Sequence, residues 1–494
     1  MLTLAPEENG AEPRPDIGFK QFCEQADIRL ENNVFLERQT QLESNARSYP
    51  RSFPIAMNRA SGVYVEDTDG QLFIDCLAGA GTLALGHNHP AIHQALRAHL
   101  DSLAPLHTLD FTTPVKDAFM QKLFSILPAE MANTAKVQFC GPTGADAVEA
   151  AVKLAKTATG RSGVLAFDGA YHGMTHGTLA MMGNLRTKAP VNSLMPDVQF
   201  LPYPNLLRCP FGLEGDASIH ANLHYLDNLL SNPLSGVLPP AAIIVEAIQG
   251  EGGVVTAPVS WLKGLREITL KFDIPLIFDE VQSGIGRSGK MFAFEHANIV
   301  PDMIVMSKAV GGGLPLSMVV YDKHWDKWAP GAHTGTFRGN QMAMVAGAVA
   351  LDHIVTQDLP AHAAKMGERL MSHLQALQQH CAYIGEVRGK GLMLGVEIVD
   401  AQQAPTDTTQ AGSPKAAAPF GQLADAIKRQ CLQNGLIVES GGRDGSVLRF
   451  LPPLIITAQE LDKVADIFSE SVLQAIRLLE EASTLSETLS APCN

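Results

Sequence analysis

The chain has 494 residues, 46% of them hydrophobic, which is enough for one large domain with a smaller companion. Lysine and arginine number 37 against 51 aspartates and glutamates, and the resulting net charge of −14 argues against a nucleic-acid surface and against a polybasic membrane patch. A small molecule is therefore the expected partner.

The cysteines and the N-terminus bear on localisation. Seven scattered cysteines without a CxxC pair favour reduced thiols in a cytoplasm over disulfides or a zinc site. No apolar run approaches the roughly 18 residues of a membrane span. The start MLTLAPEENG lacks the basic residues and apolar core of a signal peptide. We therefore expect a soluble cytoplasmic protein.

The first elements in chain order are an arm and a hairpin. Residues 1–45 are polar and helical in character, and are predicted to form an N-terminal arm whose role stays open. The stretch GVYVEDTDGQLFIDCLAG alternates apolar and polar residues around Asp69-Gly70, a dipeptide that favours a type I′ turn. An antiparallel hairpin is expected here.

The next stretch, GAGTLA at residues 79–84, formally matches a dinucleotide-binding fingerprint, so a nicotinamide-dependent oxidoreductase has to be considered. That fingerprint needs a helix that begins inside the glycine turn, whereas Pro90 is the better helix start here. His87 and His89 have no carboxylates or cysteines at metal-binding spacing and are predicted to be structural, so no metal is expected.

Residues 136–321 have a different texture. The short apolar runs KVQFC, GVLAFD, AAIIVEAI, PLIFDEV and DMIVMSK alternate with helical stretches, which indicates an α/β fold with a mainly parallel sheet. Such sheets bind ligands beyond the carboxyl ends of their strands, where Asp279 and Lys308 lie.

The remaining chain is predicted to form helices, the strands of VRGKGLMLGVEIV and a last helix near 457–482. Residues 401–420, low in complexity and rich in Ala, Pro, Thr and Gln, are predicted to be an exposed insertion. The expected organisation is a large cofactor-binding domain at 95–345 and a smaller α+β domain assembled from 46–94 and 346–494.

Three features of the sheet region carry the chemistry. A helix is predicted to begin near Ala145, and its opening, Thr143-Gly144-Ala145, leaves N–H groups that suit a phosphate, although the turn taken alone is better explained as an ordinary strand-to-helix turn. Asp279 follows a buried strand and needs a partner, with helix capping or pairing to Arg287 as the simpler explanation. Lys308 precedes three glycines and is either a desolvated amine nucleophile or a surface lysine.

Together these features match pyridoxal 5′-phosphate, which needs a phosphate anchor, a carboxylate for its ring nitrogen and an amine for its aldehyde. The chain resembles the class III (ω-amino acid) pyridoxal-phosphate aminotransferases of fold type I, from about residue 50 to 470. The resemblance rests on LGHNHP, GPTGADAVEAAVKLAK, GAYHGMT, VEAIQGEGG, FDEVQSGIGRSG, SKAVGGGLP, GTFRGNQ and LRFLPPL. Two longer stretches, 45–90 and HTGTFRGNQMAMVAG, are most similar to members that act on diaminobutyrate and 2-oxoglutarate.

The resemblance implies a role for each site residue. Lys308 would be joined to the cofactor aldehyde, and Asp279 would keep the ring nitrogen protonated. The remaining cofactor contacts would come from Thr143, Gly144 and Ala145 at the phosphate, Tyr171 stacked on the ring, His172, Gln282 near the ring hydroxyl and Thr336 from a neighbouring subunit. Core packing for Tyr171 and a surface position for Gln282 are the alternatives. A homodimer with shared sites, and further pairing into a tetramer, follow as expectations.

Two more residues are expected to bind substrates. Arg449 would take the α-carboxylate of glutamate or 2-oxoglutarate by a two-pronged contact, and Glu246 would hold this arginine away while the other substrate binds. Structural ion pairing is the alternative for both. Ornithine, acetylornithine or 4-aminobutyrate as amine donor, and a catalytically silent binding protein, stay open at this point.

Overall fold

The computed structural model describes residues 17–30, 33–402 and 417–490, with side chains described up to residue 481. Part of the predicted arm and residues 403–416 of the predicted insertion lie outside the described residues. The helices are α1 (Phe19–Glu24), α2 (Val34–Leu42), α3 (Tyr49–Ser52), α4 (Ala78–Gly81), α5 (Pro90–Asp101), α6 (Pro114–Ile126), α7 (Ala129–Ala132), α8 (Gly144–Thr159), α9 (His176–Ala180), α10 (Leu185–Lys188), α11 (Gly215–Ser231), α12 (Val259–Lys271), α13 (Gln341–Thr356), α14 (Leu359–His380), α15 (Gly421–Gln433) and α16 (Ala458–Ser490). The strands are β1 (Met57–Ser61), β2 (Tyr64–Asp67), β3 (Leu72–Asp75), β4 (Ala135–Phe139), β5 (Val164–Phe167), β6 (Val198–Leu201), β7 (Ala242–Val245), β8 (Ile248–Gln249), β9 (Val255–Thr256), β10 (Leu276–Asp279), β11 (Met303–Met306), β12 (Met318–Asp322), β13 (Ile384–Lys390), β14 (Met393–Ile398), β15 (Leu436–Ile437), β16 (Glu439–Gly441) and β17 (Val447–Phe450).

The central sheet has seven strands in the order β4-β12-β11-β10-β7-β5-β6. Its neighbours pair in parallel except for β12, which is antiparallel to both β11 and β4. Every residue of β5, β7, β10 and β11 is buried, which explains why these strands are continuous apolar runs rather than alternating ones. The mainly parallel sheet is therefore confirmed, with β6 and β12 as strands that the sequence reasoning did not single out.

Two four-stranded sheets lie outside the central one, in the orders β1-β2-β3-β15 and β13-β14-β17-β16. The expected hairpin is confirmed as the antiparallel pair β2–β3, but the type I′ turn is wrong. That turn needs positive φ at both central residues, whereas only Gly70 has it, with φ of 80°. The side chain of Asp67 closes the turn instead, accepting hydrogen bonds from the N–H groups of Asp69 and Gln71. The domain boundaries stay a prediction.

The segment that matched a dinucleotide fingerprint forms only the short, distorted α4, in which Gly79 and Ala80 have positive φ. As expected, the next helix, α5, begins at Pro90. His87 Nε2 lies 2.8 Å from Asp75 Oδ2, and the His89 ring packs edge-on against His353. Among the described residues, no helix is both long and apolar enough to cross a membrane.

A buried arginine links the central sheet to the β13-β14-β17-β16 sheet. Arg287 follows β10, and its Nη1 donates hydrogen bonds to the carbonyl oxygen of Leu392 at 3.1 Å and to that of Pro452. The Arg287 carbonyl accepts from the Leu392 N–H at 3.0 Å. Burial lowers the pKa of Arg287 to about 10. Pairing of Asp279 with Arg287 is thus excluded, because this guanidinium is used on backbone carbonyls.

Candidate active site

The predicted site residues converge on one edge of the central sheet. Glu246 follows β7, Asp279 ends β10 and Lys308 follows β11. These strands are adjacent and parallel, with Phe278 opposite Val245 and Asp279 opposite Val305. Their carboxyl ends therefore place three ionisable side chains at neighbouring positions of the edge where such sheets bind ligands.

Lys308 begins a 3₁₀ helix, Lys308–Gly311, directly after β11, and its φ of 51° lies in the left-handed region that lysine rarely adopts. The glycines that follow explain how the chain leaves this point. Gly312 also has positive φ, and a Cβ there would lie 2.5 Å from the backbone of Ala346 in α13. The turn therefore packs directly on α13.

The environment of Lys308 lowers the pKa of its amine. The residue is half-buried, and burial lowers its pKa, although the nearby carboxylate of Asp279 opposes this effect. A lysine that loses hydration in this way becomes a nucleophile and a base at lower pH than a surface lysine. The surface-lysine alternative does not fit these surroundings.

Asp279 has the partner that its burial requires. His172 Nδ1 lies 2.8 Å from Asp279 Oδ2, and the N–H of Val281 donates to Oδ1 at 3.1 Å. Burial alone would lower the pKa of His172, but the hydrogen bond to Asp279 outweighs it and raises that pKa. His172 Nε2 makes no hydrogen bond with any residue the structure describes. This pair fixes the orientation of the Asp279 carboxylate.

The predicted phosphate turn opens α8. Thr143 is the N-cap, and its hydroxyl accepts from the N–H of Asp146. In the first turn of a helix the N–H groups have no intrahelical partner, which leaves those of Gly144 and Ala145 available to an anion. A Cβ on Gly144 would lie 3.1 Å from the Val281 side chain and 3.6 Å from Ser307 Cβ. The turn therefore lies against the residues that adjoin Asp279 and Lys308.

The GAYHGMT loop packs on this turn. A Cβ on Gly173 would lie 2.5 Å from Ala145 Cβ, so only glycine allows the close approach. Tyr171 is 36% exposed, which rules out the core-packing alternative for its ring. Its stacking on a cofactor stays a prediction.

Gln282 and Thr336 have contacts that neither support nor oppose their predicted roles. The Gln282 amide donates to the Ala80 carbonyl at 3.0 Å, and its Oε1 lies so close to Gly250 that a Cβ there would clash. Thr336 is exposed, and its carbonyl oxygen lies 2.8 Å from His107 Nε2. Its predicted contribution to a neighbouring subunit stays a prediction.

The expected pairing of Glu246 with Arg449 is wrong. Both carboxylate oxygens of Glu246 accept backbone hydrogen bonds, from the N–H of Tyr171 and of Gly250, each at 3.0 Å. Burial raises the pKa of Glu246 to about 7, although His172 opposes the shift. Glu246 therefore holds two loops together at the end of β7, and its side chain is not free to reach Arg449.

Arg449 instead contacts two other carboxylates. Its Nη2 lies 2.8 Å from Glu439 Oε2 and 3.0 Å from Glu251 Oε2. Glu439 lies directly opposite Arg449 in the β16–β17 pair, which puts both side chains on one face of the sheet. Glu251 belongs to the loop after β8 and is anchored through its carbonyl, which accepts from the Gly442 N–H at 2.8 Å.

The guanidinium is buried, and ion pairs with Glu251 and Glu439 hold it. Arg449 is 1% exposed, yet none of its three side-chain nitrogens makes a directed hydrogen bond with a described residue. Burial would lower the pKa of Arg449, but Glu251 and Glu439 outweigh it and raise that pKa. A charged arginine with undirected N–H groups is suited to a two-pronged contact with a substrate carboxylate.

Sequence reasoning missed three residues beside Arg449, namely Glu251, Glu439 and Tyr49. The hydroxyl of Tyr49, in α3, lies beside Glu439, and burial followed by the charge of Glu439 raises the pKa of Tyr49. Glu439 and Arg449 flank the turn GGRDGS, so counting positions across a hairpin would have paired them. No comparable signal identifies Tyr49. We call Tyr49, Glu251, Glu439 and Arg449 the substrate end, and Gly144, His172, Asp279 and Lys308 the cofactor end.

A further cluster lies beside the phosphate turn but has a structural explanation. Ligand atoms of Cys140, Asp146 and His333 lie within 4.8 Å of one another. The Asp146 carboxylate already accepts from the Gly141 N–H and contacts His333 Nε2 at 3.1 Å. Burial raises the pKa of the Cys140 thiol, which disfavours the thiolate that binds metals.

The residues at the cofactor end fit pyridoxal phosphate. Free N–H groups at the start of α8 suit its phosphate, the His172-oriented carboxylate of Asp279 suits a protonated ring nitrogen, and the Lys308 amine suits its aldehyde. The three features lie close together, since Gly144 leaves no room for a side chain between the turn and Val281.

Comparisons with known proteins agree with this geometry. The family model "Aminotransferase class-III" matches residues 45–472. Diaminobutyrate–2-oxoglutarate aminotransferases from Rhizobium meliloti and Haemophilus influenzae are 53% and 51% identical to the chain, over 89% and 92% of it and over 92% and 98% of their own lengths. A PLP-bound amine transaminase from an uncultivated Pseudomonas species superposes with a TM-score of 0.78 at 28% identity, covering 88% of this chain and 98% of that one. The ornithine aminotransferase from Toxoplasma gondii superposes with a TM-score of 0.72 at 25% identity, covering 90% and 94%. With the amine, carboxylate and phosphate turn of a pyridoxal-phosphate site on a fold type I scaffold, the chain belongs to the class III aminotransferases.

Proposed function

We propose that the enzyme transfers the terminal amino group of L-2,4-diaminobutyrate to 2-oxoglutarate and yields L-aspartate 4-semialdehyde and L-glutamate. The reaction is reversible and can run toward diaminobutyrate. The observation that carries the proposal is the identity of 53% and 51% to two aminotransferases named for this pair of substrates, over nearly their whole lengths.

Pyridoxal 5′-phosphate supplies the aldehyde that takes up the amino group and the ring that accepts the electrons left when a proton departs. The protein supplies the rest. Lys308 Nζ moves the proton at the substrate carbon that carries the amine, for which its lowered pKa suits it. Asp279, oriented by His172, holds a proton on the ring nitrogen.

At the substrate end, Arg449 binds the α-carboxylate of glutamate or 2-oxoglutarate. Glu251 takes the role first assigned to Glu246: its side chain is 42% exposed, so it can withdraw and expose the guanidinium. In the other half-reaction Glu251 returns to Arg449. This alternation lets one pocket accept substrates of different charge.

The working unit is a homodimer that completes its sites with Thr336 of the neighbouring subunit. Exposed apolar side chains belong to the two segments that meet there: Phe337 follows Thr336 and packs on His107, and Leu103, Leu106 and Phe111 of the His107 segment are also exposed. A Phe337→Glu variant should sediment as a monomer and lose activity; an active monomer would contradict this assembly.

The six described cysteines are free, which supports a reducing compartment and hence the cytoplasm.

The test is an amine-donor panel on the purified enzyme with 2-oxoglutarate as acceptor. Diaminobutyrate should give the highest kcat/KM among diaminobutyrate, ornithine, acetylornithine and 4-aminobutyrate. A higher value for any of the other three would replace the proposed donor, while turnover that depends on a nicotinamide cofactor would overturn the reaction class.

A further inference from the structure

The charge balance around Arg449 raises a question that the binding of 2-oxoglutarate does not answer. Two carboxylates, Glu251 and Glu439, lie within 3.0 Å of a single guanidinium nitrogen. With one positive and two negative charges, the group carries a net charge of −1. One glutamate would suffice to neutralise the arginine. The second carboxylate is therefore expected to have a different role.

The two glutamates differ in how they are held. The Glu439 side chain is 14% exposed, lies on a strand opposite Arg449 and has the Tyr49 hydroxyl beside it. The Glu251 side chain is 42% exposed and belongs to a loop. Glu439 is therefore the fixed carboxylate of the pair, and Glu251 the one that can move.

Glu439 also retains capacity for another donor. A carboxylate offers about four lone-pair sites on its two oxygens. Arg449 takes part of this capacity, and Tyr49 lies beside the same carboxylate. Burial raises the pKa of Glu439, and Lys308 is among the positive charges that oppose this effect, so the two side chains share one pocket. A carboxylate in that position suits a cationic group of a substrate whose amine lies at Lys308.

The two amine donors of the proposed reaction differ in what they present here. Glutamate reacts through its only amine, whereas diaminobutyrate reacts through its terminal amine and keeps a charged α-ammonium group. That ammonium needs a buried acceptor once it leaves water. We propose that Glu439 binds the α-ammonium group of the diamino acid and thereby selects it over ω-amino acids that lack this group. This inference rests on the proposed function.

The selection works through charge. When Glu251 covers Arg449, the net negative charge repels the carboxylate that both donors carry, and only diaminobutyrate has an α-ammonium group whose attraction to Glu439 offsets this repulsion. 4-Aminobutyrate is the matched comparison, since it has the same chain and the same reacting amine and lacks only the α-ammonium.

The experiment compares both donors in wild type and Glu439→Gln, which keeps the shape and removes the charge. The variant should lower the ratio of kcat/KM for diaminobutyrate to that for 4-aminobutyrate by roughly 10- to 100-fold, the effect of losing one charged hydrogen bond. Glu386→Gln, a carboxylate of the same sheet that pairs with Arg388 outside the site, is the control and should leave the ratio unchanged.

Two measurements cover a Glu439 variant that folds poorly. Tyr49→Phe removes the hydroxyl that orients Glu439 and should shift the ratio in the same direction by a smaller factor. In a Lys308→Ala background, calorimetry should show weaker binding of diaminobutyrate, and not of glutamate, when Glu439 is also replaced.

The outcomes separate the two proposals. Equal losses for both donors in Glu439→Gln, or an unchanged ratio in Glu439→Gln and Tyr49→Phe, would overturn the role of Glu439 alone. A wild-type enzyme without activity toward diaminobutyrate would overturn the proposed function, and this inference with it.

Discussion

Asp279 and Lys308 reach the site from neighbouring strands of one buried sheet, whereas Arg449 and Glu439 reach it from a separate four-stranded sheet and Tyr49 from a short helix near the N-terminus. At the cofactor end, position follows from strand order, and His172 holds the Asp279 carboxylate in place. At the substrate end, charged and polar side chains from three distant segments meet around one guanidinium that ion pairs hold. The contrast suggests a rigid end for one constant cofactor and an adaptable end for two substrates.

The largest expected effect is at Lys308. Lys308→Ala should lower turnover with diaminobutyrate and 2-oxoglutarate by at least about 10⁴-fold, because it removes both the amine that joins the cofactor and the base that moves the proton. Borohydride reduction and peptide mapping should locate the cofactor on this residue. Lys323→Ala, an exposed lysine after β12, is the control. Steady-state activity retained by Lys308→Ala would contradict the assignment of the cofactor end.

Asp279→Asn should follow, with a loss of roughly 10²- to 10³-fold in both half-reactions, because a neutral amide no longer stabilises a protonated ring nitrogen. The substitution should also change how the free energy of unfolding depends on pH. The pKa of His172 is raised above 6.5 by Asp279, so the stabilisation is present below that pH and is lost as pH rises through the raised value. The difference in unfolding free energy between wild type and variant should therefore shrink toward alkaline pH. A constant difference would argue against a charged pair.

Arg449→Lys tests whether the substrate end depends on fork geometry or on charge alone. Lysine keeps the charge but loses the two-pronged contact, so kcat/KM for 2-oxoglutarate should fall by roughly 10- to 100-fold. The diaminobutyrate half-reaction, measured by absorbance in single turnover, should fall less. Equal losses in both half-reactions would mean that Arg449 acts mainly as a structural cation.

Glu246→Gln should have the smallest effect, and a similar one on both half-reactions, since Glu246 holds the Tyr171 and Gly250 loops rather than Arg449. A loss confined to the diamino-acid half-reaction would restore the original hypothesis. The pKa of about 7 also predicts a stability signature: protons bind the folded state more tightly, so stability falls as pH rises from 4.5 to about 7. The variant should lose this pH dependence of the unfolding free energy, which amounts to about 3 kcal/mol over the range. Glu280 has a similarly raised pKa, so its contribution to the pH dependence should remain.

The same contrast explains what could be predicted from the sequence. Asp279 and Lys308 were predictable because each ends a continuous apolar run, and the carboxyl ends of parallel strands always meet at one edge. The start of α8 was readable from its helical periodicity. Glu246 was misassigned because two glutamates lie in VEAIQGEGG, and only the folded loop shows that the second one faces Arg449. Tyr49 was missed since its contact with Glu439 joins segments nearly 400 residues apart, and no local pattern encodes such a distance.

Arg287 fixes a distance within this architecture. It lies in the loop that follows Asp279 and donates a hydrogen bond to the carbonyl of Pro452, shortly after Arg449, so one guanidinium ties the cofactor end to the substrate end. Because Arg287 binds backbone carbonyls, substitutions of side chains within the pocket leave the distance between the two ends unchanged. The enzyme's preference for donors of a given number of carbons should accordingly be harder to re-engineer than its preference for their charge.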